Sequence, residues 1–412
     1  MTSRASTAGK RILVLGDYRQ TVVIVRSLAR AGYEVTLATG NPLSSTALSS
    51  CVSEVWVCEQ HGSEQFNRQL ECYLRAHQPD FVFVVGESQL RSLVPEAARF
   101  APLAVWVMPA PTTAGRCLDK SAMYALTRQL GIPTLDWSEF AAVDRWRQQA
   151  AGFGYPVVVK HRDSSAYVRG RKALILNTPE SLDSFLAGCL REPKYDSLLL
   201  QKFAYGRRHN CHFGAAAGRL VAYFEQAVLR TDELDGTGIG IEGISVPPSP
   251  QLRAYCAQLL AALAYNGVGC IQFLVDEARG TAVFLELNPR LDSTVVLPYR
   301  LRYDLPRLAV ELARDGAGHA PSLLNVPYRA GVRYHWLYGD LLAWQQAWRQ
   351  RQRSPGQLLA WAARSLLAAF GSYHLTWDLR DPLPTLHMYW SKLVHAVTRR
   401  LSPHDALKAR IL

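Results

Sequence analysis

With 412 residues, 49% of them hydrophobic and 19% charged, the chain is long enough for two or three packed units with substantial cores. Its formal net charge of +12 suits acidic substrates, nucleotides or anionic surfaces without selecting among them. Eight scattered cysteines show no Cys-x-x-Cys pair and no zinc spacing; they read as mostly reduced core residues of a cytoplasmic protein.

Met1 to Lys10 is a polar tail, too poor in apolar residues for a secretory signal. Arg11 to Gly16 predicts a strand, Thr21 to Ala31 a helix and Glu34 to Ala38 a second strand, the opening of an open α/β sheet. The first turn, Gly16-Asp17-Tyr18-Arg19-Gln20, lacks the glycine pattern needed for close approach to a pyrophosphate, which excludes a dinucleotide-binding domain. Phe81 to Val85 is a further strand. Glu87 sits just past its carboxyl end, where open sheets bind ligands, and either faces a substrate or caps the next helix.

Lys120 follows Asp119 before a helical stretch that ends at Leu130-Gly131-Ile132-Pro133; it is a phosphate ligand or a member of that helix's first turn. Lys160 ends a run of β-branched residues, so its ammonium either emerges at a fixed point to neutralise phosphate or snorkels at the surface. In the loop after it, Ser164 and Ser165 offer donors, while Arg162, Arg169 and Arg171 offer charge without the flexibility of glycine. Arg230 to Ser245 holds Gly236, Gly238, Gly240 and Gly243. It predicts either a mobile loop over a pocket, with Arg230 gripping a carboxylate or phosphate, or a plain surface loop.

The densest chemistry lies in Cys270 to Arg290, CIQFLVDEARGTAVFLELNPR. Alternation along a strand places Glu286, Asn288 and Arg290 on one face, roughly 7 Å apart. Ile271 to Val275 is a second strand, and a turn through Glu277, Arg279 and Gly280 makes a hairpin that brings Gln272 opposite the Glu286 end. A carboxylate, two amide oxygens and the phosphates of a nucleotide make an oxygen-only shell, better suited to magnesium than to zinc. The alternative is an exposed hairpin face of ordinary polar residues.

From His335 onward six of the ten tryptophans are interleaved with arginines. Trp344 and Trp348 share a helical face, which either docks on the body of the protein or rests on a membrane or an acidic partner. Leu358 to Phe370 is apolar, but too short to span a bilayer and interrupted by Arg364. Asp378 to Pro384 predicts a rigid turn that folds the extension back.

These segments, in this order, resemble the ATP-grasp superfamily, in particular its branch with carbamoyl-phosphate synthetase and biotin carboxylase. The matching parts are Cys117 to Lys120 (CLDK), Gly154 to Lys160 (GYPVVVK), Leu198 to Ala204 (LLLQKFA) and the hairpin ending in Asn288-Pro289-Arg290. The resemblance covers roughly residues 10 to 315 and is carried by the ordered set rather than by any one motif. It implies an α/β and α+β architecture: an open α/β domain over 1–112, a two-lobed ATP-grasp domain over 113–318 and a largely helical, tryptophan-rich extension over 319–412. It further implies ATP held by Lys120, Lys160, Ser164, Ser165, Gln201, Lys202, Phe203, Ala204, His209, Gln272 and Glu286. Magnesium, with manganese as an alternative, would sit on Gln272, Glu286 and Asn288. Lys160 and Arg290 would be catalytic, with Glu87, Arg230, Asp292 and Ser293 around the acceptor. The loop after Lys160 departs from the family pattern in being poor in glycine, and Gly206-Arg207-Arg208-His209-Asn210 stands where a glutamate is common.

The expected activity is an ATP-dependent ligase that activates a carboxylate as an acyl phosphate and joins it to an amine. The extension resembles tails of carboxylate-amine ligases encoded with natural-product or polysaccharide pathways. Small-molecule acids and amines are the expected partners, nucleic acid is not, and the basic C-terminus offers a peripheral membrane or protein contact. The alternatives are amination of a phosphorylated enol or ketone, and a non-catalytic nucleotide-binding scaffold.

Overall fold

A computed structural model describes residues 9–59, 63–189, 191, 194–315, 323–324 and 326–398. Most of the N-terminal tail, and the boundary expected at 318/319, lie outside the described residues. The chain opens with a parallel sheet of β1 (Arg11–Leu15), β2 (Glu34–Thr39), β3 (Glu54–Val57), β4 (Phe81–Val84) and β5 (Val105–Val107), ordered β3-β2-β1-β4-β5. β1 and β4 are near-continuous buried apolar runs, as a sheet covered on both faces requires. The helix Thr21–Arg30 follows β1 as expected.

Two lobes follow. The first holds β6 (Trp137–Glu139), β7 (Val157–His161), β8 (Leu174–Leu176) and β9 (Leu198–Lys202), ordered β6-β9-β7-β8 and antiparallel throughout. Its core gathers around Trp146, Phe185 and the buried valines of β7. The second is a sheet of seven strands: β10 (Arg207–Ala216), β11 (Arg219–Thr231), β12 (Gly240–Ser245), β13 (Gly267–Asp276), β14 (Thr281–Asn288), β15 (Arg333–His335) and β16 (Tyr373–His374). Their order is β14-β13-β10-β11-β12-β15-β16. β13 and β14 form the expected hairpin, turning through Gly280 at φ +63°, and Gln272 pairs directly with Glu286.

The glycine-rich stretch from Arg230 differs from the expected loop. Arg230 and Thr231 end β11, Gly240 to Ser245 are β12, and only Asp232 to Ile239 connect them. The C-terminal extension is helical over Leu337–Arg349, Pro355–Gly371 and Leu383–Thr398, but it also gives β15 and β16 to the edge of the large sheet. One apolar core runs through Ile12 and Val14 of β1, Phe224 of β11, and Tyr334, Trp336 and Leu375 of the extension. Among the described residues no helix is long and apolar enough to cross a membrane.

Candidate active site

A cleft of about 790 Å³ opens between the lobes and the first sheet. Its floor comes from three adjacent strands. Asn210 on β10 pairs with Gln272 on β13, and Gln272 with Glu286 on β14, so three polar side chains stand abreast. Asn288, two residues on, shares their face and donates from Nδ2 to Glu286 Oε1 at 3.0 Å. Across the cleft stand Lys160, near the end of β7, and Lys120, the first residue of the helix Lys120–Gln129. Both readings of Lys120 hold together: Asp119 caps that helix by accepting from Ala122 N–H, and Lys120 Nζ reaches Ser164 Oγ at 2.5 Å.

This end of the cleft is buried and carries a surplus of positive charge. Burial pushes Lys160 down to about 8, with the charge of Glu286 opposing it. Burial lowers Lys120 as well, while Glu286 and Glu87 pull it back. For Glu286 burial works upward, but Lys120, Asn288 and Lys160 outweigh it and hold the carboxyl below its usual value. Glu286 faces both ammonium groups and, of the two, Glu87 acts on Lys120 alone, so an added anion gains the attraction of both lysines. Gln201 on β9 is 2% exposed, and among the described residues its Nε2 meets no partner at hydrogen-bonding geometry; the same is true of Oδ1 of the equally buried Asn210. Unmet buried polar atoms of this kind mark places where a ligand completes the hydrogen bonding.

Glu87, Lys120, Lys160, Ser164, Ser165, Gln201, Lys202, Phe203, Ala204, Gln272, Glu286, Asn288, Arg290, Asp292 and Ser293 all line this one cleft. Glu87 is also the first residue of the helix Glu87–Leu93, with Oε2 3.7 Å from Arg290. Arg290 lies just past the end of β14, which stops at Asn288. Two expectations are corrected. His209 is buried with Nδ1 2.8 Å from Glu225 Oε1 and does not line the cleft; its strand neighbours Arg208 and Asn210 do, because alternate residues face opposite sides. Arg230 lies outside the lining, paired with Glu242 at 2.7 Å and with Asp340 at 2.6 Å. The arginines of the loop after Lys160 are similarly engaged: Arg162 with Asp119 and Glu139, and Arg171 with Glu233 and Asp235. Lys172, whose Nζ donates to the Ser164 carbonyl at 2.8 Å, faces the cleft instead.

The far end of the cleft was not expected from the sequence. Tyr18 and Arg19 reach in from the first turn of the parallel sheet, and Trp336 and Tyr338 from the extension. The Arg19 guanidinium lies 4.1 Å from the centre of the Trp336 ring. It makes no hydrogen bond or ion pair among the described residues, and burial, partly opposed by Asp232, depresses its pKa. The first turn, which the sequence singled out only for its missing glycine pattern, gives no local signal for this arginine.

Residues 245–313, which contain Gln272, Glu286, Asn288 and Arg290, match the family described as carbamoyl-phosphate synthase L chain, ATP binding domain. Biotin carboxylase 1, chloroplastic, of Populus trichocarpa is 27% identical over 188 residues, 42% of this chain; the match spans 34% of that relative's length. The biotin carboxylase domain of Hydrogenobacter thermophilus 2-oxoglutarate carboxylase, solved with MgADP, ADP and bicarbonate, superposes with a TM-score of 0.63 at 16% identity, covering 79% of this chain and 73% of that one. N5-carboxyaminoimidazole synthetase of Staphylococcus aureus, solved with ADP, gives a TM-score of 0.60 at 13% identity, covering 77% and 79%. The chain therefore has the ATP-grasp fold, with its hairpin segment matching the carbamoyl-phosphate synthase ATP-binding family.

Proposed function

We propose that this protein is an ATP- and magnesium-dependent ligase that activates a carboxylate as an acyl phosphate and joins it to an amine. The observation that carries the reading is that two sets of side chains line one cleft: Lys120 and Lys160 around Glu286 with Gln272 and Asn288 beside it, and Arg19 over Trp336, with Arg290 reaching Glu87. The first suits the phosphates of ATP. Gln272, Glu286 and Asn288 offer oxygen donors for a metal, which fits magnesium; they would hold the ion, which would supply positive charge to offset that of the phosphates. Gln201, with its unsatisfied Nε2, holds adenine, and Lys160 and Lys120 meet the phosphate oxygens.

Arg19 holds the acceptor acid, while Arg290, 3.7 Å from Glu87 and lining the same cleft, faces the transferred phosphoryl group. An acid oxygen attacks the γ-phosphorus, the bond to the β-phosphate oxygen breaks and ADP leaves. The amine nitrogen then attacks the acyl carbon, phosphate departs and a nitrogen-bound proton is released to solvent. Arg290 offsets the charge that builds on the phosphoryl oxygens. No covalent bond to the protein is required.

The test is ADP release from the full chain with ATP, magnesium and paired acids and amines. Glu286→Ala is expected to abolish turnover while far-UV circular dichroism stays that of the parent. Turnover in that variant at the parent rate would remove the metal site, and tight ATP binding without ADP release from any pair would favour a nucleotide-binding scaffold. If the trapped phosphorylated product carries phosphate on an enol rather than on an acid, the activated group is not a carboxylate.

A further inference from the structure

The helix Pro355–Gly371 is largely apolar yet buries only Leu358 and Ser365. Leu359, Leu366, Leu367 and Phe370 are 73%, 61%, 75% and 86% exposed. Their spacing places them on one helical face, with the exposed Ala362 and Ala363 between the first and the rest. A contiguous apolar stripe of this size marks an interaction surface.

Its surroundings say what it meets. From Leu341 to Trp377 there is no aspartate or glutamate, while Arg349, Arg351, Arg353 and Arg364 all fall in that stretch and all are exposed. Trp348, 59% exposed, closes the preceding helix beside them, its ring 5.7 Å from that of the packed Trp344. An exposed apolar helix face preceded in the chain by exposed arginines and a tryptophan, with no acid in that stretch, has the chemistry of a helix lying in the headgroup region of an anionic bilayer. It does not have the length to span one. A second copy of this chain is a poorer match, because a two-fold contact would set the same acid-free, arginine-bearing stretch against itself.

We infer that the helix Pro355–Gly371 is a membrane-docking face, laying Leu359, Leu366, Leu367 and Phe370 into an anionic lipid surface while Arg349, Arg351 and Arg353 meet the headgroups. This does not depend on the reaction proposed for the cleft.

Flotation of the full-length protein with vesicles tests it. The wild type is expected to float with phosphatidylcholine vesicles containing one-third phosphatidylglycerol, and to bind pure phosphatidylcholine far less. The combined variant Leu359→Gln, Leu366→Gln, Leu367→Gln, Phe370→Gln should lose at least tenfold in lipid affinity. Because these side chains are exposed, its melting curve should stay that of the parent. Arg349→Gln, Arg351→Gln and Arg353→Gln should each weaken binding by about fivefold at low salt. The inference is overturned if the wild type floats with no vesicle, or if the four-site variant binds lipid as the wild type does. It is also overturned if sedimentation velocity shows a dimer that the same four substitutions dissolve, since the face would then join two copies.

Discussion

A buried lysine held near neutrality is a sensor of its own ligand. In the ligand-free protein Lys160 titrates at about 8 because burial disfavours its charge and Glu286 compensates only in part. The unfolded chain therefore carries more protons than the folded one between about pH 8 and pH 10.5. The penalty that Lys160 places on folding is thus complete below that window and fades as pH rises through it. Nucleotide phosphates reverse the balance by favouring the ammonium form. Binding of a non-hydrolysable ATP analogue at pH 9 should take up a fraction of a proton, and the uptake should vanish towards pH 7, where the lysine is already charged. Calorimetry in buffers of different ionisation enthalpy measures this, and Lys160→Met should abolish most of it. Equal uptake in parent and variant would falsify the placement of Lys160 against phosphate.

A strand edge explains both what the sequence revealed and what it concealed. Alternation along β14 and the turn at Gly280 bring Gln272 to the Glu286 end, but the turn by itself would set Gln272 opposite Leu285; a register shift between Gln272 and Phe273 pairs it with Glu286 instead, and that bulge leaves no signal in the spacing. The four glycines after Arg230 misled because glycine has two uses. Gly236 and Gly238 adopt φ of +82° and +81° in the connection, as a turn demands. Gly240 and Gly243 lie in β12, where a Cβ on Gly243 would stand 2.3 Å from the Tyr334 ring. These two glycines admit Tyr334 of β15, a strand too short and too distant in sequence to leave a local signal. Arg19 and Trp336 escaped for the same reason, since nothing local joins residues that meet only after the chain has closed. Arg230 then locks this edge, bridging Glu242 of β12 and Asp340 of the helix Leu337–Arg349, and Asp340 also accepts from Trp361 and Ser365. The Asp340 carboxyl is held well below its usual range: hydrogen bonds from His335, Arg230 and Ser365 overcome the upward push of burial. Arg230→Ala should consequently act on stability, by about 3–5 kcal/mol, because it leaves the buried Asp340 without its guanidinium, whereas Glu242 keeps Arg333 at 2.9 Å. Urea unfolding checks this; an unchanged midpoint together with a raised acceptor KM would return Arg230 to the acceptor site.

Three parts of the chain share one closure. The helix Thr21–Arg30 of the first sheet carries Arg26, whose guanidinium reaches Asp381 at 2.8 Å with both side chains almost fully buried. Asp381 also accepts from Ser49 Oγ and Ser50 N–H, and Arg26 donates to the Thr376 and Asp381 carbonyls. Arg30 and Arg300 both pair with Asp378 in the same turn. The turn expected around Asp378 to Pro384 therefore fastens the extension to the N-terminal sheet, and with it the cleft wall of Trp336 and Tyr338. Were the extension a detachable lobe, this buried pair would be an ornament. Because an apolar core also runs through all three parts, its loss should be felt everywhere. Asp381→Ala leaves Arg26 buried without its carboxylate, a change on the order of 3–5 kcal/mol. Asp381→Asn retains hydrogen-bond acceptance and should lose less. In urea both variants should shift one cooperative transition to lower midpoint, with tryptophan fluorescence and far-UV circular dichroism moving together. Two separated steps, with the fluorescence change first, would show instead that the extension unfolds by itself and that the cleft keeps its nucleotide end without it.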